Sequence, residues 1–81
     1  MFYGDGCPHC DRMEPLVGRL EKETRVKVVR REVWNNPKNS GLQEKYDRGI
    51  CGGVPFFVNT TTRATICGEV SYRDLKVWAR V

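Results

Sequence analysis

Residues 1–10 are Met1-Phe2-Tyr3-Gly4-Asp5-Gly6-Cys7-Pro8-His9-Cys10, and they combine the end of a strand, a turn and the start of a helix. The apolar pair Phe2-Tyr3 predicts the strand, and the glycines on both sides of Asp5 predict the turn. A helix over residues 8–23 follows, because proline is tolerated in a first helical turn and the next apolar residues share one helix face. Those apolar residues are Met13, Leu16, Val17 and Leu20. A Cys-x-x-Cys pair therefore lies at a strand-to-helix junction.

Cys7 and Cys10 are the candidate catalytic residues. Two cysteines separated by two residues at a helix N-terminus can form a small, reducible disulfide, and the amide dipoles there favour a thiolate at the first of them. The thiolate is the nucleophile of thiol–disulfide exchange. We therefore predict Cys7 as the nucleophile and Cys10, one turn further into the helix and more covered, as the resolving thiol. The alternative interpretation is a pair of structural thiols or half of a metal site.

The remaining pattern predicts one α/β domain over residues 1–81. The elements predicted after the first helix are a strand at 26–33, a helix at 37–48, strands at 54–58 and 64–67, and a helix at 72–80. Asn36-Pro37 and Ser71 are typical of helix starts, and the apolar runs between the predicted helices predict the strands. The order β-α-β-α-β-β-α corresponds to a four-stranded mixed sheet flanked by three helices, with the first two strands parallel and the last two an antiparallel hairpin.

The composition restricts the possible partners. Fourteen Lys and Arg against ten Asp and Glu give a charge of +4, but both signs are interleaved, so we expect no nucleic-acid binding. No apolar run approaches the roughly 20 residues of a membrane helix, and no signal-peptide pattern is found, so we expect neither membrane insertion nor secretion. One close cysteine pair plus two single cysteines, Cys51 and Cys67, suits a redox protein of a reducing compartment, the cytoplasm or an organellar stroma or matrix. We expect a monomer.

Several further motifs resemble the thioredoxin superfamily. Pro15 stands where thioredoxins kink their active-site helix, and the chain has matching Asn36-Pro37, Lys45-Tyr46, Gly53-Val54-Pro55 and Gly68 segments. The resemblance covers nearly the whole chain. It implies a minimal thioredoxin fold and a thiol–disulfide oxidoreductase that acts on protein dithiols or disulfides, with a reductase or glutathione as electron donor. It also implies a cis peptide bond before the proline, with Gly53, Val54 and Pro55 binding the substrate.

The chain departs from this family at several positions. Its layout is the smaller one shared with glutaredoxins, yet Cys67-Gly68-Glu69 does not match the Gly-Gly-Asp stretch by which glutaredoxins hold glutathione. Gly6 replaces the tryptophan that precedes the first cysteine in thioredoxins, and no acidic residue stands at the position of their buried aspartate. Cys51 adds a possible accessory thiol close to Pro55, whereas Cys67 is expected to be a small buried apolar residue.

Pro8 and His9 are predicted to tune the site. The same dipeptide occurs between the cysteines of the strongly oxidising periplasmic Dsb oxidases, and a charged or hydrogen-bond-donating His9 would favour the Cys7 thiolate and make the disulfide more oxidising. The alternatives are a glutathione-dependent enzyme of glutaredoxin type, a metal or iron–sulfur site shared across a dimer, and a thioredoxin-like docking module. In the main interpretation we expect no metal and no cofactor beyond the Cys7–Cys10 disulfide itself.

Overall fold

The computed structural model describes residues 1–80 of the chain. It is an α/β structure with three helices and a four-stranded mixed sheet. The elements are β1 Phe2–Tyr3, α1 Pro8–Thr24, β2 Arg31–Glu32, α2 Pro37–Asp47, β3 Phe56–Val58, β4 Thr65–Cys67 and α3 Tyr72–Trp78. The predicted order β-α-β-α-β-β-α is confirmed.

The sheet has the strand order β2-β1-β3-β4. β1 is parallel to β2, with Phe2 opposite Arg31, and antiparallel to β3, with Phe2 opposite Phe56. β3 and β4 form the predicted antiparallel hairpin, in which Phe57 pairs with Ile66. Because β1 is an inner strand, the turn that follows it and carries Cys7 leaves the sheet between its two edges.

Two predicted strands are shorter than the sequence pattern suggests. The ladder expected over residues 26–33 is formed only by β2, because its partner β1 pairs through two residues. Ahead of β2, the amide of Val28 donates to the Glu21 carboxylate at 3.0 Å, and the carbonyl of Val29 accepts the N-terminal amine of Met1 at 2.8 Å. This segment is therefore held without a continuous strand ladder. β3 begins at Phe56 instead of residue 54, since Pro55 has no N–H to contribute to a ladder.

The helices begin and end at residues with recognisable capping geometry. Asn36 and Ser71 cap α2 and α3 with side-chain oxygens that accept amides three residues further on, at 3.1 and 3.2 Å. α1 and α2 are each followed by a C-cap arginine with positive φ, 62° at Arg25 and 54° at Arg48. α3 ends at Trp78, two residues before its predicted end. No helix within residues 1–80 combines the length and apolar character needed to cross a membrane.

The sheet packs between two helical layers. On the side of α1 and α3, the main buried cluster includes Met13, Val17, Leu20, Phe57 and Leu75. On the other side, a smaller cluster of Phe2, Val33 and Phe56 packs against Leu42 of α2. Phe56 and Phe57 are fully buried on opposite faces, and burying such a side chain contributes about 1.5–3 kcal/mol relative to leaving it exposed. Cys7 and Cys10 belong to the main cluster, so the candidate site is built into the α1 side of the core.

Candidate functional site

Cys7 is the N-cap residue of α1. Its backbone is extended (φ −78°, ψ 115°), its amide donates to the carbonyl of Gly4 at 3.0 Å, and its Sγ accepts the amide of Cys10 at 3.3 Å. Pro8 occupies the first helical turn, where its missing N–H costs no helical hydrogen bond. The sulfur therefore lies at the positive end of the helix dipole. Because hydrogen bonds to a charged acceptor are the stronger ones, the bond from Cys10 strengthens when the Cys7 thiol ionises.

Cys10 lies one turn into α1 with its thiol in the core. Burial, followed by the hydrogen bond with Cys7, raises the pKa of the Cys10 thiol to about 11. Both cysteines are free thiols, and each is only 3% exposed. The prediction that Cys10 is the more covered of the two is wrong, because Cys7 packs into the same cluster. With this pKa the Cys10 thiol is protonated at neutral pH, which suits a group that reacts second.

The Val54–Pro55 peptide bond is cis, as predicted. Pro55 is fully buried, and its carbonyl accepts the amide of Gly68 at 2.8 Å. Val54 packs against both core clusters, including the one that contains Cys7 and Cys10. The fold thus brings Val54, one of the three predicted substrate-binding residues, to the cluster of the cysteine pair.

Gly53, the third of these residues, is exposed and lines an open groove of about 250 Å³ between α2 and the segment before Pro55. The Gly53 carbonyl accepts Nε2 of Gln43 at 2.8 Å, which leaves one lone pair of this oxygen for a second donor. Trp34 lines the same groove, and its ring lies so close to Gly4 that an added Cβ there would come within 2.2 Å of it. Trp34 is nevertheless 56% exposed, which leaves part of the indole open to a bound molecule.

Cys51 and Cys67 form a disulfide, with a sequence separation of 16. The predictions of Cys51 as an accessory thiol and of Cys67 as a buried apolar residue are therefore wrong. Cys67 ends β4 opposite Phe56, and the segment before Pro55 passes beside it, which brings the two cysteine Cα atoms to 5.4 Å, a distance suited to a disulfide. Since these cysteines are paired, the argument for a reducing compartment from two single cysteines loses its basis.

Asp47 anchors the segment that carries Cys51. Its two carboxylate oxygens accept the amides of Cys51 at 2.6 Å and Gly52 at 2.8 Å. Burial by itself raises the pKa of Asp47, but these amide hydrogen bonds outweigh burial and lower the pKa overall. Together with the bond from Gln43 to Gly53, this ties the approach to Pro55 to α2. Sequence reasoning missed both polar residues, whose only signal is that they lie four residues apart on one helix.

His9 takes part in a charged network above the first turn of α1. Its Nδ1 lies 2.6 Å from Oε2 of Glu69, and Nε of Arg12 donates to both Glu69 carboxylate oxygens at 3.0 Å. Arg12, and to a smaller extent His9, lower the pKa of Glu69 to about 2. Arg12 and Glu69 were not predicted from the sequence. Arg12 follows His9 by three residues and so shares its helix face, whereas Glu69 lies 60 residues away and has no local signal.

The described residues offer no evident metal site. Within residues 1–80, no group of three or more His, Cys, Asp and Glu side chains is arranged to hold an ion. Comparisons with protein-family models, with characterised protein sequences and with solved structures give no match to this chain. The functional argument therefore rests on the geometry around Cys7.

Proposed function

We propose that this chain is a thiol–disulfide oxidoreductase with a thioredoxin-like layout, which exchanges disulfides with protein substrates through Cys7 and Cys10. The observation that carries the proposal is the Cys7 sulfur at the N-cap of α1, with the amide and thiol of Cys10 one turn behind it. The cis peptide bond at Val54–Pro55 and the packing of Val54 on the same cluster support it.

The exchange has two steps. The Cys7 thiolate attacks one sulfur of a substrate disulfide, forms a mixed disulfide and releases the other substrate sulfur as a thiolate. Cys10 then loses its proton to water and attacks the Cys7 sulfur, which forms the Cys7–Cys10 disulfide and releases the second substrate thiolate. Two electrons have passed from the protein dithiol to the substrate. The dithiol of a reductase, or two molecules of glutathione, then reduces the Cys7–Cys10 disulfide and restores the starting state. The same steps in reverse oxidise a substrate dithiol.

The different surroundings of the two thiols suit them to different roles. The Cys7 sulfur lies among helix amides that favour negative charge, whereas the raised pKa of Cys10 keeps that thiol protonated until its turn. Since only 3% of Cys7 is exposed, a substrate disulfide reaches its sulfur only when the residues that cover it move aside. The substrate class that suits a covered sulfur is a flexible, extended protein segment.

Turnover of a disulfide-containing peptide, with dithiothreitol as the reductant, tests this proposal. We expect no activity from Cys7→Ser, and from Cys10→Ser we expect a trapped mixed disulfide that mass spectrometry detects. A variant with both Cys51 and Cys67 replaced by alanine is the matched control, because it removes the other two sulfurs and keeps the reacting pair. Activity of Cys7→Ser at the rate of the unmodified chain would overturn the proposal. Replacing dithiothreitol by glutathione or by a thioredoxin reductase then identifies the class of electron donor.

A further inference from the structure

Glu69 bridges His9 and Arg12 at the N-terminal end of α1. Oε2 of Glu69 lies 2.6 Å from Nδ1 of His9 and 3.0 Å from Nη2 of Arg12, while Nε of Arg12 reaches both carboxylate oxygens. The hydrogen bond and ion pair with Glu69 raise the pKa of Arg12. Arg12 and His9 both belong to the first turns of α1, the helix whose N-cap is Cys7, so the charge of Arg12 lies near the helix end that carries the Cys7 sulfur.

The backbone of Glu69 is fixed from two directions. The residue before it, Gly68, donates its amide to the carbonyl of Pro55 at 2.8 Å. The residue before that, Cys67, is joined to Cys51 by the second disulfide. Glu69 is thus presented to α1 from a constrained segment, although the side chain itself lies at the surface.

We propose that Glu69 is a positioning residue of the Cys7–Cys10 site, whose carboxylate holds Arg12 and His9 together and compensates the charge of Arg12, so that Arg12 stabilises the Cys7 thiolate less than it otherwise would. This inference rests on the proposed function and adds a residue to it. Pro8-His9 by itself favours an oxidising disulfide, and Glu69 moderates that tendency.

The chemistry of the three groups supports this assignment. With a pKa of about 2, Glu69 is a carboxylate throughout the working pH range and can only accept hydrogen bonds. Nδ1 of His9 lies within hydrogen-bond distance of both Oε2 of Glu69, at 2.6 Å, and Nη2 of Arg12, at 2.9 Å, so the three side chains form one connected cluster. Removing the carboxylate frees Arg12 from its partner while keeping its charge near Cys7, so the thiolate gains stabilisation.

The proposal predicts shifts of opposite sign in two variants. Glu69→Gln is expected to make the Cys7–Cys10 disulfide more oxidising, and Arg12→Gln is expected to make it less oxidising. Because the side chains are exposed and screened by salt, each variant is expected to change the thiol–disulfide equilibrium constant roughly fivefold at most. A tenfold change corresponds to about 29.6 mV for this two-electron couple, so the largest expected shift in reduction potential is about 21 mV. The double variant is expected to return close to the unmodified chain, and the single shifts are expected to shrink in salt on the order of 1 M.

The test is a glutathione redox titration in which mass spectrometry of the alkylated protein counts the Cys7–Cys10 disulfide. Glu23→Gln is the matched control, because Glu23 also pairs with an arginine of α1, at 2.9 Å from Arg19, but in the last turns of the helix. We expect no shift from that variant. Shifts of the same sign in Glu69→Gln and Arg12→Gln, or a shift in neither, would overturn the inference while leaving the proposed function intact. Absence of any measurable Cys7–Cys10 disulfide would instead refute the proposed function.

Discussion

Replacing both Cys51 and Cys67 by alanine is expected to lower the free energy of unfolding by about 3 kcal/mol. The two residues are separated by 16 positions in sequence. Closing a loop of about that length in the unfolded chain removes about 3 kcal/mol of conformational entropy at 25 °C, and opening the cross-link restores it. A domain of 81 residues has a total stability of about 4–12 kcal/mol, so the loss is a large part of the whole. The melting temperature is expected to fall by about 12–24 °C.

The measurement is urea unfolding followed by tryptophan fluorescence and circular dichroism, with and without dithiothreitol. Both proteins carry Cys7→Ser and Cys10→Ala, so that the second disulfide is the only one that can form. Dithiothreitol is expected to bring the protein that retains Cys51 and Cys67 to the stability of the alanine variant and to leave the variant itself unchanged. A difference below about 1 kcal/mol between the oxidised protein and the variant would refute the loop-entropy reasoning, since it is well under the expected range.

Three further predictions concern the cysteine pair and its surroundings. Iodoacetamide near neutral pH is expected to alkylate Cys7 first, so the fast phase should be lost in Cys7→Ser and kept in Cys10→Ser. When dithiodipyridine is the substrate, release of the second pyridinethione reports the attack of Cys10 on the mixed disulfide. Because only the thiolate attacks, the rate of this release is expected to rise about tenfold per pH unit below the Cys10 pKa of about 11. A rate that does not change between neutral pH and that pKa would contradict this assignment. Gly4→Ala is expected to lower the free energy of unfolding by about 1–3 kcal/mol, because the new Cβ meets the Trp34 ring at 2.2 Å. This loss should vanish in a protein that also carries Trp34→Ala. An equal loss with Trp34 present and with Trp34 replaced would show that another contact is responsible.

Features set by neighbouring residues could be predicted from the sequence. The caps at Asn36 and Ser71 depend on bonds across three residues, and the first turn of α1 depends on Pro8 and the cysteine pair beside it. The cis bond before Pro55 is also confirmed, although that prediction came from the resemblance and not from the local pattern. Element order followed from these local signals, since short connections leave few ways to arrange seven elements.

Features set by distant residues could not be predicted. Cys51 and Cys67 look like two unrelated single cysteines until β3 and β4 pair and bring their Cα atoms to 5.4 Å. His9 and Glu69 meet across 60 residues, and an exposed glutamate has no pattern that distinguishes a partner of histidine from a solvated side chain. The burial of Cys7 likewise depends on the completed core, so reasoning from the helix alone placed it too near the solvent.

The strands at the two edges of the sheet are very short. β2 has two residues, Arg31 and Glu32, both charged, and β4 has three, the last of which is held in the Cys51–Cys67 disulfide. Short edge strands, charged in β2 and tied by a disulfide in β4, offer few free backbone groups to another chain, which is a common protection against aggregation through edge-to-edge pairing. Within residues 1–80, exposed apolar side chains such as Ile50, which is 68% exposed, are therefore not accompanied by an extended edge strand on which copies could stack into fibrils.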